Sequence, residues 1–258
     1  MSGASDVTAV VLAAGEGKRM LSDRAKVLHE MAGRPLLDHV LGACEDAGVP
    51  RAVVVVGARR EQVEDWLALR ADTGMRLATA VQAEQRGTGH ALLKALPAVE
   101  SLGPTKELLV LCGDAPLLRA DTVRALIALH ESRGAGATIL TADLADPTGY
   151  GRIVRDARGD VARIVEHRDA SPEERELHEI NSADYVFDRA GVTDALAHVR
   201  ADNDQGEIYL TDTIALLKAR GRPILALKVD DPREVLGVNT REQLAEAERA
   251  FLARAGGR

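Results

Sequence analysis

The chain has 258 residues, 46% of them apolar, 28% charged and only 2% aromatic, with a formal net charge of −7. That length fits one large α/β domain or two small ones, and an α/β unit of this size can bury a real core. The scarcity of aromatics argues against base-stacking platforms, and the acidic balance against a duplex-binding face, so no nucleic-acid partner is expected.

Val7–Ala14 is a short, valine-rich apolar run that reads as a buried parallel strand, ended by Gly15. Pro35–Ala47 has helical apolar spacing, with a proline at its start and Gly48 at its end. Ala52–Val56 is a second strand, Arg60–Ala71 a helix, and "RLATAVQ" a third strand. Thr88–Ala98 reads as a helix, Leu108–Leu111 as a strand, Asp121–Arg133 as a helix and Ala137–Ala142 as a strand. Such alternation predicts a parallel sheet with helices on both faces, and ligands in these sheets bind beyond the carboxyl ends of the strands. The loops Gly15–Lys26, Gln82–Thr88 and Gly113–Pro116 should therefore carry the site. From Tyr150 the texture changes: "YGRIVRDARGDVARIVEHRD" reads as an antiparallel hairpin and "SADYVFD" as another strand. Thr211–Arg220, Ile224–Val229 and Thr240–Arg254 then read as helix, strand and helix. No internal repeat is present, and no hexapeptide run that would mark a β-helix.

The two cysteines, Cys44 and Cys112, form no CxxC pair, which fits a reducing compartment. "MSGASD" carries no basic segment and the first apolar run is too short to span a membrane, so no membrane partner and a cytoplasmic location are expected.

The loop after the first strand holds Gly15, Gly17 and the basic residues Lys18, Arg19, Arg24 and Lys26. Glycines at that place let backbone N–H groups approach an anion. A Walker A loop is excluded because Arg19 follows Lys18, and a dinucleotide fingerprint lacks its third glycine. On Gly-x-Gly alone, a tight strand-to-helix turn with solvated basic side chains is the favoured reading. The whole string decides more. "LAAGEGKRM" followed by "KVLHEMAGRPL", then "VQAEQRGTGHAL", "CGDAPLL", "DPTGYGRIV", "IVEHRDA", "EINSADYVF", "NDQGEIYLTD" and "GVNTREQL", resembles in order the sugar-nucleotide nucleotidyltransferases. Within that family it is most similar to the N-terminal uridylyltransferase domain of the bifunctional N-acetylglucosamine-1-phosphate uridylyltransferase/glucosamine-1-phosphate acetyltransferase.

The resemblance implies an α/β fold: a Rossmann-like, mostly parallel twisted sheet of the nucleotide-diphospho-sugar transferase type, with a smaller antiparallel sugar-binding insertion. It implies one nucleotidyltransferase domain over 1–258, with a nucleotide-binding half to about 142, a sugar-binding half over about 143–229, and a metal-site segment and helix over about 230–258. It implies Mg²⁺-dependent synthesis of UDP-N-acetylglucosamine and pyrophosphate from UTP and N-acetylglucosamine 1-phosphate, a step towards peptidoglycan. The sugar phosphate, already anionic, attacks the α-phosphorus in line, so the protein has to align two polyanions and neutralise the leaving group.

By the same resemblance, Arg19 and Lys26 are the catalytic basic pair. Leu12, Ala13, Ala14, Gly15, Gly17, Gln82, Gly87 and Thr88 bind the nucleotide, Gln82 through uracil's polar edge. Gly149, Glu166 and Asn181 hold the amino sugar, with Tyr209 and Thr211 nearby. Asp114 and Asn239 ligate Mg²⁺, which prefers oxygen donors. Read without the resemblance, Asp114 is a turn former, Thr88 caps the helix that follows it, and Asn239 caps the helix from Thr240. Lys18 and Arg24 read as solvated, Cys112 and Trp66 as packing. Two departures stand out. Asn181-Ser182-Ala183 replaces the family's usual Asn-Thr-Gly, and Cys112 replaces a tyrosine before Gly-Asp. The chain stops near the point where the family's linking helix would lead into the acetyltransferase β-helix, so only uridylyl transfer is expected, and oligomeric state is left open. Another sugar 1-phosphate, dTTP in place of UTP, or a non-catalytic nucleotide-binding module stay open as alternatives.

Overall fold

The structure, a computed structural model, describes residues 6–70, 73–203 and 205–256. Its elements run β1 (Val7–Ala13), β2 (Glu30–Met31), β3 (Arg34–Pro35), α1 (Leu36–Asp46), β4 (Arg51–Val56), α2 (Arg60–Leu69), β5 (Arg76–Val81), α3 (Thr88–Ser101), β6 (Glu107–Cys112), α4 (Ala120–Arg133) and β7 (Ala137–Asp143). There follow β8 (Gly151–Arg155), β9 (Val161–Val165), α5 (Pro172–Arg175), β10 (Glu179–Asp188), α6 (Arg189–Leu196), α7 (Asp212–Ala219), β11 (Ile224–Lys228) and α8 (Arg241–Gly256). Ala71, the predicted end of α2, lies outside the described residues.

The main sheet has the order β11-β7-β10-β6-β1-β4-β5. β1 pairs in parallel with β4 and β6, β4 with β5, and β7 with β11. β1 is buried on both faces: Val7, Ala9 and Val11 pack in one aliphatic cluster with α1 and α4, while Val10 packs in another with α3, α6 and α7. The continuous apolar runs of β1, β4 and β6 record this two-sided burial.

Strand β10 departs from simple alternation. It enters antiparallel between β6 and β7 and extends to pair with β8. The predicted hairpin is β8–β9, which among the described residues pairs with the rest of the sheet through β10. β10 starts earlier than the predicted strand and carries an irregularity between Asn181 and Tyr185, where Ala183 takes φ 66°. α3 runs past its predicted end and through Pro97, because Val99, one turn beyond Ala95, continues the buried face. Helices α5 and α6 were not expected. The first begins with a Ser171–Glu174 capping box, the second with an Asp188 cap that accepts from Gly191 N–H at 2.8 Å. No described helix is long and apolar enough to cross a membrane.

Candidate active site

The carboxyl ends of β1, β4 and β6 come together in one place, as the alternation predicted. Gly113 N–H donates to the Leu12 carbonyl at 3.0 Å, and a Cβ on Gly113 would lie 3.0 Å from that oxygen. Glycine at this point lets the end of β6 close on the end of β1. The Ala14 carbonyl accepts from the Gln85 amide at 2.8 Å, so the loop after β5 is tied to the same strand end. Gly15 has open space around its Cα.

Gly17 takes φ 65°, and a Cβ there would sit 2.6 Å from Cβ of Lys26. A residue with a side chain would be strained and would push Lys26 away. The loop thus folds back so that Gly17 seats Lys26. Met20, between them, is buried and anchors the turn; Arg19 beside it is exposed. Lys18 and Arg24 pair with Glu16 and Glu30 at the surface, in keeping with the solvated reading.

Lys26 is the centre of the site. Its ammonium donates to the Asp114 carboxylate and, at 3.0 Å, to Oδ1 of Asn239. The Lys26 and Asp114 side chains are only 14% and 17% exposed. Three residues from motifs far apart in the chain therefore meet at one cationic point. The segment bearing Asn239 is pinned there by Val238 N–H, which donates to the Asp114 carbonyl at 2.8 Å. Gly237 leaves the carboxylate its space, since a Cβ would lie 3.2 Å from Asp114 Oδ1.

The capping assignment of Asn239 is corrected. The cap of α8 is Thr240, whose hydroxyl accepts from Gln243 N–H at 3.2 Å while the Gln243 amide oxygen accepts from Thr240 N–H at 3.2 Å and Asn239 N–H at 2.7 Å. This reciprocal arrangement relieves Asn239 of capping and leaves its amide oxygen for Lys26. The capping of α3 is corrected likewise. Gly87 holds the cap position at φ 94°, and Thr88 Oγ1 instead accepts from Leu210 N–H at 3.1 Å.

Gln82 is buried, and its amide nitrogen donates to the Gly87 carbonyl at 3.0 Å and lies 3.2 Å from His90 Nδ1. It shapes the turn expected to meet the base. The close approach at Gly87 is to protein: a Cβ would lie 2.5 Å from the Ile208 carbonyl oxygen.

Glu166 and Asn181 come together across β9 and β10, both within van der Waals reach of the position a Cβ on Gly151 would take. Thr211 Oγ1 donates to Glu166 Oε1 at 3.0 Å. Burial pushes the Glu166 carboxyl up, with the negative charges of Asp169, Asp212 and Glu207 adding to the effect and the Thr211 bond opposing it. Asn181 is buried; its amide donates to Tyr185 OH at 2.7 Å and accepts from Ala183 N–H at 3.2 Å. Gly149, two residues before Gly151, is on an exposed turn at φ 86°.

The two departures from the family pattern are neighbours. Cys112 Sγ lies 3.8 Å from the carbonyls of Ser182 and Ala183, and Cys112 N–H donates to Asp184 at 2.8 Å. Burial pushes the Cys112 thiol well up, in keeping with a packing role. Burial also pushes Asp184 up to about 7, with the Cys112 N–H opposing and the charge of Asp114 adding. Sequence reasoning missed Asp184. It also missed Arg59 and Gln62, which hold the basic loop. The glycine that ends the β4 valine run was the available signal for that turn.

A carboxylate oxygen and an amide oxygen converge on an ammonium, so the protein already builds a cation position from two oxygen donors, as Mg²⁺ requires. Among the described residues no group of three or more His, Cys, Asp or Glu could hold a metal. Phosphate oxygens and water would complete the coordination.

The sequence matches the MobA-like NTP transferase domain over residues 9–250. The chain belongs to this family. The bifunctional protein GlmU of Thermobifida fusca is 50% identical over 256 residues, covering 98% of this chain and 52% of that protein. GlmU of Pelotomaculum thermopropionicum is 48% identical over 249 residues, covering 96% and 53%. The chain spans about half the length of the curated relatives it matches. Two solved structures share the fold of this NTP transferase. A Bacillus anthracis protein described as a glucose-1-phosphate thymidylyltransferase has a TM-score of 0.75 at 19% identity, covering 95% of this chain and 94% of that one. A UDP-glucose pyrophosphorylase complexed with UDP-glucose has a TM-score of 0.76 at 17% identity, covering 96% and 98%.

Proposed function

We propose that this NTP transferase joins UTP to N-acetylglucosamine 1-phosphate, releasing pyrophosphate and forming UDP-N-acetylglucosamine. The observation that carries the reading is the convergence of Lys26, Asp114 and Asn239 at the ends of β1 and β6. A sensor of nucleotide would need a cradle for the base and phosphates. It would not need two oxygen donors and a shielded lysine at one point. The identity to GlmU proteins over nearly the whole chain supports the choice of UTP and the acetylated sugar.

In this reading the half to about residue 142 holds UTP and the half over about 143–229 holds the sugar phosphate. Leu12–Gly17 present backbone to the triphosphate. Gln82, Gly87 and Thr88 form the base side. Gly149, Glu166 and Asn181 take the sugar, with Glu166 accepting from its hydroxyls. Asp114 and Asn239 would hold Mg²⁺, which supplies charge neutralisation to the phosphates when bound. Arg19, exposed at the mouth of the loop, and Lys26, shielded within it, place positive charge where negative charge grows on the leaving pyrophosphate. The sugar phosphate oxygen displaces that group directly, and no protein nucleophile is involved. A cytoplasmic setting goes with this reading.

The test is pyrophosphate release from purified protein with Mg²⁺, UTP and N-acetylglucosamine 1-phosphate, with glucose 1-phosphate and dTTP in parallel. Release confined to UTP and the acetylated sugar is expected. Release with a different pair would keep the chemistry and overturn the substrate. Tight UTP binding without release from any pair would leave a non-catalytic module.

A further inference from the structure

The turn between β4 and α2 grips the basic loop at several places. Gly57 must lack a side chain, because a Cβ would lie 2.7 Å from the Ala14 carbonyl oxygen, and Ala58 N–H points to that oxygen at 3.4 Å. Arg59 follows at φ 55°, a left-handed conformation that any residue with a Cβ resists. Its Nη1 donates to the Glu16 carbonyl, between Gly15 and Gly17, at 3.1 Å, and its Nη2 lies 3.9 Å from the Asp23 carboxylate. One turn further along α2, the Gln62 amide donates to the Asp23 carbonyl at 3.0 Å and accepts from Ala25 N–H at 2.8 Å. Ala25 immediately precedes Lys26. The contacts thus fall on both sides of Arg19 and end one residue before the lysine at the centre of the site.

These contacts do little for the core. Gln62 is exposed, the Arg59 side chain is 34% exposed, and Val63 is the buried residue of α2. Glycine would satisfy the backbone at position 59 without strain. Strained backbone of this kind persists where the surroundings over-determine it, and it clusters at functional sites. What an arginine adds there is its guanidinium on the Glu16 carbonyl. With Glu16, Lys18, Leu21, Ser22 and Asp23 it lines a cavity of about 490 Å³ along the loop.

We propose that Arg59, assisted by Gln62, is a positioning residue: it sets the course of the Gly15–Lys26 loop and so places Lys26 against Asp114 and Asn239. The proposal rests on the nucleotidyltransferase reading for its kinetic consequence, but its structural part is open to measurement without turnover.

Arg59→Gly separates the two roles, because it relieves the backbone and deletes the guanidinium. The melting temperature should stay level or rise. Amide exchange in the peptide spanning residues 15–26, followed by mass spectrometry, should speed up about fivefold or more, with β1 and β6 unchanged. The kcat for pyrophosphate release should fall about tenfold while KM for UTP moves less than about threefold, as expected of a misplaced catalytic group. Gln62→Ala should speed exchange at the Ala25 end, and Gln62→Glu, which keeps the acceptor for Ala25 N–H, should restore it. A variant with faster loop exchange and the parent's kcat overturns the positioning role. So does a lowered melting temperature with no loop-specific change, which marks Arg59 as merely structural. If the parent releases no pyrophosphate with any pair, the functional reading falls and exchange alone decides: unchanged exchange in Arg59→Gly then overturns the proposal, and faster exchange sustains it.

Discussion

Lys26→Ala is the sharpest probe of the site. The ammonium is shielded, with its side chain 14% exposed, and it faces the Asp114 carboxylate and the Asn239 amide oxygen. At an effective dielectric near 20, a unit charge about 4 Å from a reacting phosphate oxygen interacts by about 4 kcal/mol. Deleting one such pre-set stabilising group in other enzymes costs about 10²–10³ in kcat, on the order of 3–4 kcal/mol. The expected outcome is therefore a fall in kcat of about 10²–10³ with UTP affinity changed less than about tenfold, because in the proposed reading other groups of the loop share the triphosphate. Lys26→Arg should not rescue turnover, since a planar fork is not a point charge. The variant also removes the internal cation from Asp114 and Asn239. Binding of Mn²⁺ without nucleotide, followed by electron paramagnetic resonance, should therefore tighten. Steady-state pyrophosphate release, titration calorimetry with UTP and the Mn²⁺ titration together decide the matter. Parent-like turnover in Lys26→Ala would refute the catalytic assignment. Weaker Mn²⁺ binding would refute the idea that the lysine and the metal share two oxygens.

Asp114→Asn should lower Mg²⁺-dependent turnover by at least about 100-fold, measured as pyrophosphate release; parent-like turnover would move the metal elsewhere. Ala183→Gly should stabilise the fold by about 0.5–1 kcal/mol, because a left-handed alanine costs about 1–2 kcal/mol and glycine's unfolded-state freedom returns part of it. Differential scanning calorimetry should show a rise of about 1–3 °C, and a fall would mean that the bulge needs its methyl group. Glu107, at the far end of β6, has one buried carboxylate oxygen with no hydrogen-bond partner among the described residues. Burial pushes its carboxyl up to about 7, helped by Glu131, Asp188 and Asp6. The folded chain then holds this proton more tightly than the unfolded chain, so the parent loses stability as pH rises from the ordinary carboxyl range through 7. Glu107→Gln should be more stable than the parent at pH 8 by about 1–2 kcal/mol and should lose that advantage near pH 4–5. A difference independent of pH would show that the carboxyl does not titrate there.

The legible parts of this molecule are those whose physical cause is local. Valine runs ended by glycine marked β1 and β4, and two-sided burial explains why such runs need no polar alternation. The β8–β9 hairpin announced itself through "DARGD", a turn between alternating strands. The motifs also named residues that do meet in space: Lys26, Asp114 and Asn239 at one point, Glu166 and Asn181 at another. What escaped is what depends on partners distant in sequence. β10 lies antiparallel between β6 and β7, and nothing in "SADYVFD" says which strands it will separate. Asn239 looked like a cap because it precedes a helix; the cap fell to Thr240 because Gln243 reaches back to it, a choice that three neighbouring residues settle together.

Gly17 and Gly87 show how one residue type answers two different demands. Each was read as a nucleotide-binding position. In the fold, Gly17 makes room for the stem of Lys26 and Gly87 for the carbonyl of Ile208. Both readings agree that a side chain is forbidden, and for that reason the sequence finds the position without revealing the occupant. The same logic separates Ala183 from its family pattern. A methyl group is accepted at φ 66° beside Cys112, whose sulfur lies against the carbonyls of Ser182 and Ala183. If the smaller side chain at position 112 relieves crowding at that bulge, the two departures are one adjustment. Restoring tyrosine at 112 should then cost more stability with Ala183 in place than in the Ala183→Gly background, and a double-mutant cycle measures that coupling directly.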